Sequence, residues 1–152
     1  MSLEQSIMTE LKAAMLAKNE AALRGLRAIK SAILLAKTAD GKQGEITEDD
    51  EIKLLQRLAK QRKDSLEVFV AQNREDLAQK ERDELVIIEK FLPKQMDEAE
   101  LRVALQDILN QVGATTPADM GKAMGAATKK LAGKADGKMI SSLVKELLTP
   151  KA

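Results

Sequence analysis

The chain has 152 residues, with 25 Lys and Arg against 24 Asp and Glu, and it contains no histidine, cysteine, tryptophan or tyrosine. These absences exclude a disulfide framework, a zinc ribbon, a thiol nucleophile and every mechanism that needs an imidazole base. Phe69 and Phe91 are the only aromatic residues, so the chain offers no aromatic platform on which bases could stack. The first residues show no basic segment followed by an apolar run, and no stretch approaches the roughly 18 apolar residues of a membrane span. A cytoplasmic protein without a membrane segment is therefore predicted.

Four helices are predicted in the first part of the chain, where apolar residues recur at steps of three and four. The first begins at about Ser2, and the third begins at Thr47, whose hydroxyl can cap it. The predicted ends of the four helices lie at about residues 17, 36, 72 and 92. The polar segment 38–44 is predicted to be a loop. Pro93 then disfavours helical backbone at the residue before it and marks a joint.

Three shorter helices are predicted after this joint. The first begins after the cap Asp97 and ends at Gly113. The second begins at Thr116-Pro117 and ends at Gly133. The third begins at Asp136 and ends before Pro150. Because Ala, Leu, Lys, Glu and Gln dominate throughout, the predicted fold class is all-α. The prediction is an N-terminal four-helix subdomain, residues 1–93, followed by a C-terminal three-helix bundle, residues 96–149.

Three motifs in the sequence have the residue types of a chemical site. The acidic run 48–51 suits a helix start better than a Mg²⁺ site, since consecutive helical residues point in different directions. Residues 142–145 match S-x-x-K, but the companion motifs S-D-N and K-T-G are missing. Residues 133–138 lack the spacing of a phosphate-binding loop, and Met139 replaces its magnesium-binding hydroxyl. No catalytic residue, metal ligand or cofactor is therefore predicted.

The segment 119–138 carries five lysines against two aspartates, a local excess of three positive charges. These C-terminal lysines are Lys122, Lys129, Lys130, Lys134 and Lys138. Lys122 and Lys129 are seven residues apart and share a helix face. One interpretation is an anion site, in which free N–H groups at the start of the last helix meet a phosphate between lysines. The other is glycine capping, with lysines that counter a helix C-terminus.

A second group of cations lies in the first part of the chain. These N-terminal cations are Arg24, Arg27, Lys30, Arg62 and Lys63. The third helix has no large apolar residue between Leu58 and Leu66, so it loses its apolar anchor for two turns. The preferred interpretation is a solvated face, because charge runs usually are one; the other is a docking surface for phosphates or an acidic partner.

Several motifs resemble the YqeY-like proteins of the GatB/YqeY family. They are residues 61–65, 84–95, 119–125 and 133–137, and the resemblance covers nearly the whole chain. It implies two all-helical subdomains and a domain shared with the tail of the B subunit of the glutamine-dependent aspartyl/glutamyl-tRNA amidotransferase. That tail is helical, non-catalytic and contacts tRNA, and a similar module helps some synthetases to hold tRNA. Where the family often has Lys-Ala-Asn-Pro, this chain has Lys134-Ala135-Asp136-Gly137, whose carboxylate would weaken phosphate attraction.

The expected function is a non-catalytic accessory module that binds tRNA through phosphate and shape contacts. The C-terminal lysines are the first candidates for these contacts and the N-terminal cations the second. One alternative is a module that docks an amidotransferase or an aminoacyl-tRNA synthetase through the third helix. Another is an amidotransferase-like carbon–nitrogen ligase, for which no nucleophile with an adjacent base is found. The near-zero net charge predicts weak RNA affinity for the isolated chain.

Overall fold

A computed structural model describes residues 2–39 and 44–150, which form seven α-helices and one 3-10 turn, with no β-strand among them. The all-α prediction is confirmed. The chain divides into two compact units, Met1–Leu92 and Pro93–Ala152. Within the described ranges no helix has both the length and the apolar character needed to cross a bilayer. Residues 40–43 of the predicted loop 38–44 lie outside the described residues.

The first unit contains four helices in two hairpins. They are α1 (Leu3–Leu16), α2 (Glu20–Thr38), α3 (Glu48–Ala71) and α4 (Glu75–Lys90). Ser2 starts α1 with a capping box, because the Gln5 amide N–H donates to its hydroxyl and the Gln5 side chain accepts its amide N–H. Lys18 and Asn73 adopt left-handed backbone at the predicted breaks between paired helices, with φ of 53° and 57°. These two turns fold each hairpin back on itself.

The core of the first unit is made by α2, which contacts the other three helices. Ile29 and Ile33 of α2, Leu55 of α3 and Ile88 of α4 are almost fully buried. Only Leu54, Leu55 and Ala59 of α3 are buried, so the contact of this helix with the core is confined to its first half. The second half of α3 therefore packs on α4 without fully buried side chains of its own.

The second unit contains α5 (Glu98–Val112), α6 (Met120–Lys130) and α7 (Gly137–Leu148). The middle helix was predicted to extend from Thr116-Pro117 to Gly133 and is shorter at both ends. Residues Pro117–Asp119 form a 3-10 turn, since the Asp119 carboxylate accepts the amide N–H groups of Thr115 and Thr116. At the other end, Gly133 has a φ of 78° within the turn that follows Lys130.

The turn between α6 and α7 is anchored from the beginning of the second unit. The Gln95 side-chain amide donates to the carbonyl oxygens of Gly133, at 2.7 Å, and Pro93, at 2.8 Å. The Met96 amide N–H donates to the Lys134 carbonyl oxygen at 2.9 Å. These bonds fix the backbone between the two helices and thereby position Lys134.

Candidate functional site

The structure places the C-terminal lysines on α6, on the turn after it and at the start of α7, and all five are exposed. Lys122 and Lys129 are separated by two helical turns, about 10 Å along the axis of α6. Lys129, Lys134 and Lys138 form no side-chain hydrogen bond or ion pair with any residue in 2–39 or 44–150. Their ammonium groups are therefore available to an anionic partner.

The other two C-terminal lysines, Lys122 and Lys130, interact with neighbouring side chains of the protein itself. The Lys130 ammonium donates to the side-chain oxygen of Gln111 on α5. Lys122 lies near Asp119, whose pKa is lowered first by the amide N–H groups of Thr115 and Thr116 and, less strongly, by the charge of Lys122. Gln111 is neutral, so Lys130 keeps its charge but is tied to α5. The lysines without any such tie are Lys129, Lys134 and Lys138.

The start of α7 is occupied by a carboxylate of the chain itself. The Lys138 amide N–H donates to the Asp136 carboxylate at 3.2 Å, so Asp136 caps this helix. A phosphate approaching the same N–H groups would meet this negative charge first. The geometry favours the capping interpretation of this turn over the anion site at the helix terminus.

Two glycines on α6 leave part of its surface bare. A Cβ atom built on Gly121 or Gly125 would meet no heavy atom within 4 Å. Both residues are exposed, and Gly121 adjoins Lys122 in the sequence. A bulky partner can therefore approach the α6 backbone closely beside the lysines.

Most N-terminal cations have acidic partners on α4. The Arg24 guanidinium lies 4.0 Å from the Asp83 carboxylate, and the Lys63 ammonium lies 3.8 Å from the Glu89 carboxylate. Both pairs are exposed by more than a third, so solvent screens them and they contribute little to stability. They nevertheless reduce the positive field that these two cations present to a ligand.

Arg62 lies between α3 and α4 and is the least exposed of the N-terminal cations that form ion pairs. Its Nε atom is 3.2 Å from a Glu84 oxygen and 3.7 Å from a Glu81 oxygen, and its side chain is 21% exposed. Burial raises the pKa of Glu81, the Arg62 charge opposes that effect, and the Glu84 charge adds to it. The gap in the apolar pattern of α3 is thus filled by a polar contact within the chain.

Arg27 and Lys30 differ from the other N-terminal cations because neither pairs with an acid in the described part of the chain. Both line a surface groove beside α1, together with Met8 and Met15. Met15 follows the apolar residues Leu3, Ile7 and Leu11 at helical spacing, which predicts a buried position, but its exposed fraction is 61%. The sequence signal for this groove is the seven-residue spacing of Met8 and Met15, but the same spacing is equally typical of a buried core stripe.

The acidic run 48–51 has a structural role at the start of α3. The Asp50 carboxylate accepts the Thr47 amide N–H, and the Asp50 amide N–H donates to the Thr47 hydroxyl, which completes a capping box. Within residues 2–39 and 44–150 no group of three or more acidic side chains is arranged to hold a metal ion. This run therefore starts a helix, as the dipole interpretation predicts.

Comparison with known proteins gives a consistent family. The sequence profile described as "Yqey-like protein" matches residues 4–148. The chain is 36% identical to "Altered inheritance of mitochondria protein 41, mitochondrial" of Clavispora lusitaniae over 133 residues, which are 86% of this chain and 74% of that protein. It is 31% identical to the protein of the same name from Lachancea thermotolerans over 114 residues, 74% of this chain and 60% of that protein.

The names of both relatives contradict the predicted cytoplasmic location, because both are described as mitochondrial. That prediction is wrong. It depended on the absence of a secretory pattern and of a membrane span, and neither absence distinguishes the cytoplasm from a mitochondrion.

The resemblance noted in the sequence is confirmed by these comparisons. The profile covers both units, and the first relative shares more than a third of the aligned positions. The chain therefore belongs to the YqeY-like protein family.

Proposed function

We propose that this chain is a non-catalytic module that binds tRNA through its second unit. In this proposal the two units correspond to the four-helix subdomain 1–93 and the three-helix tail 96–149. The observation that carries the proposal is the group of exposed, unpaired lysines Lys129, Lys134 and Lys138, which surrounds the turn anchored by Gln95. The anchored backbone at Gly133 and Lys134 is fixed before a ligand arrives, which lowers the entropic cost of binding.

The contacts would be made to phosphates and to the shape of the RNA. Lysines act as point charges toward phosphate, and the bare α6 surface at Gly121 and Gly125 allows close approach. Phe91 is half-buried against the core of the first unit and Phe69 is half-buried on α3, so neither provides a stacking platform. Affinity should therefore fall steeply with salt and depend little on sequence.

A non-catalytic role is supported by the chemistry of the charged groups. The sequence has no histidine or cysteine, and the carboxylates with shifted pKa values lie in helix caps or ion pairs. An ion pair or a cap stabilises a fold, whereas a nucleophile needs an adjacent base. A carbon–nitrogen ligase activity has no such pair to support it.

A titration of labelled tRNA with the purified chain, followed by fluorescence anisotropy at two salt concentrations, tests the proposal. The triple variant Lys129→Glu/Lys134→Glu/Lys138→Glu should bind at least about tenfold more weakly, and its salt slope should fall by about 2–3. The matched control is Lys18→Glu/Lys53→Glu/Lys60→Glu, which changes the net charge equally at exposed lysines of the first unit.

Equal loss of binding in both triple variants would contradict the proposal, because it would show that only net charge matters. An absence of tRNA binding by the unaltered chain at low salt would also overturn it. In that case a docking module for an amidotransferase or aminoacyl-tRNA synthetase becomes the better description, and co-purification with such an enzyme is the corresponding test.

A further inference from the structure

The outer side of the α1–α2 hairpin carries a groove of about 380 Å³. Its lining combines apolar side chains from α1 with cations from both helices. The side chains that matter are Met8, Leu11, Lys12, Met15, Arg27 and Lys30. The groove continues along α1 past Thr9 and Gln5 to Ser2, so it follows most of the 14-residue helix, about 20 Å in length.

The apolar part of the groove is an exposed methionine pair over a buried floor. Met8 and Met15 are 49% and 61% exposed and lie two turns apart on α1, whereas Leu11 between them is 9% exposed. Methionine is flexible and polarizable and adapts its shape to a partner surface. Two methionines two turns apart match the spacing of apolar residues along one face of a second helix.

The charged side chains that line the groove are all positive. Lys12, Arg27 and Lys30 form no ion pair within the described residues, and no carboxylate lines the 380 Å³ groove. The acidic residues of α1 are engaged elsewhere: Glu4, which lines the continuation toward Ser2, is 2.6 Å from the Lys37 ammonium, and Glu10 is 3.7 Å from that of Lys90. An apolar strip bordered by three uncompensated cations is complementary to an apolar ridge bordered by carboxylates.

We propose that this groove binds an amphipathic helix of a partner protein, with apolar residues at i, i+3 or i+4, and i+7 and with acidic residues along the edge facing α2. A phosphate backbone would use Lys12, Arg27 and Lys30 but would leave Met8 and Met15 exposed to water. The combination of apolar strip and cations therefore favours a helix over RNA. The inference concerns the first unit only and does not depend on tRNA binding by the second.

The probe is a labelled synthetic peptide of about 18 residues, long enough to form a helix, with Leu at the i, i+3, i+4 and i+7 positions, Glu on one flank and Ala elsewhere. Its control is a peptide of the same composition in which the order destroys the apolar face. Anisotropy titrations with the full chain should give saturable binding of the first peptide only. Met15→Glu, and separately Arg27→Glu, should each weaken binding by about tenfold or more.

The matched control variants are Met139→Glu, an exposed methionine of α7, and Lys60→Glu, an exposed lysine of α3. Both should bind the peptide within about twofold of the unaltered chain. Circular dichroism establishes that each variant stays helical. Failure of the helical peptide to bind, or undiminished binding by Met15→Glu, would overturn the inference. Loss of tRNA binding in Arg27→Glu without peptide binding by the unaltered chain would identify the groove as an RNA surface instead and would equally overturn it.

Discussion

The backbone of Gly25 in α2 lies directly against Ile87 in α4: a Cβ atom built on Gly25 would come within 2.8 Å of the Ile87 Cβ. Real Cβ atoms essentially never approach so closely, so the distance between these helices requires glycine. We expect Gly25→Ala to lower the free energy of unfolding by about 1–3 kcal/mol, as overpacking does. Urea unfolding followed by circular dichroism measures this change in a chain without tryptophan. An unchanged midpoint would show that the helices separate freely.

At Gly121 and Gly125 of α6, in contrast to Gly25, substitution by alanine is expected to stabilise the protein. Both are helical and have open space where a Cβ would lie, so alanine should fit without strain. We expect Gly121→Ala or Gly125→Ala to raise the free energy of unfolding of the second unit by about 0.5–1 kcal/mol, since glycine loses more backbone entropy on folding. The same unfolding measurement checks this, and destabilisation would mean that α6 contacts something at these positions.

Arg62 is expected to matter for folding more than for ligand binding. Arg62→Ala would leave the carboxylates of Glu81 and Glu84 facing α3 without their cation. Arg62 is an ion-pair partner of both carboxylates, which are only 19% and 16% exposed. Because its removal leaves these partly buried charges without that cation, we expect a loss of about 1–3 kcal/mol of stability. Denaturant unfolding measures it.

Lys63→Ala is the control for Arg62→Ala, because Lys63 and its partner Glu89 are 51% and 39% exposed. Its effect on stability should be within about 0.5–1 kcal/mol. Equal effects of the two substitutions would show that the contact between Arg62 and the two glutamates has no special role in packing α3 on α4.

The raised pKa of Glu81 predicts a pH dependence of stability. The folded state holds the proton on Glu81 more tightly than the unfolded chain does, so this residue's contribution to stability declines as pH rises from about 4.5 through the raised pKa. Glu81→Gln should flatten this decline and should not destabilise the protein at pH 7. Thermal unfolding across pH 4–8 measures the slope, and a slope that is unchanged in the variant would contradict the assignment.

The lowered pKa of Asp119 predicts that its contribution to stability changes with pH in the opposite direction, in the acid range. Amide N–H groups of Thr115 and Thr116 lower its pKa below the ordinary 3.8, so its stabilising effect is complete above pH 3.8 and is lost as pH falls through the lowered pKa. We expect the 3-10 turn before α6 to loosen as the pH falls below about 4. In Asp119→Asn, which has no carboxylate to titrate, the stability of this turn should depend less on pH. The amide NMR signals of Thr115 and Thr116 report this titration, and their failure to move with pH would contradict it.

The sequence patterns predicted where most helices lie, but they predicted less about which side chains on those helices are exposed or paired. Caps are local, so Ser2, Thr47, Asp97 and Asp136 could be assigned from a few neighbouring residues. The early start assigned to the helix containing Lys122 followed from Thr116-Pro117, which opens a 3-10 turn as readily as an α-helix. Which of these the chain adopts depends on where the Asp119 carboxylate finds its donors.

Contacts between distant residues were beyond the sequence patterns. The run containing Arg62 was interpreted as a solvated face or a docking surface, yet Arg62 meets two glutamates on α4. Likewise, the N–H group of Lys138 was left open as an anion donor, whereas Asp136 accepts it. In both cases the deciding quantity was the distance to a carboxylate, which apolar periodicity does not encode.

The Gln95 amide also determines where the protein can be divided. A fragment that begins at residue 96 retains all of α5, α6 and α7 and the bond from the Met96 amide to the Lys134 carbonyl. It loses the hydrogen bond from the Gln95 side chain to the Gly133 carbonyl. In such a fragment one of the two hydrogen bonds that anchor the turn would be missing, and weaker RNA binding would reflect the chosen first residue rather than the tail itself. Dissection of this protein should therefore keep Pro93 and Gln95 with the C-terminal half.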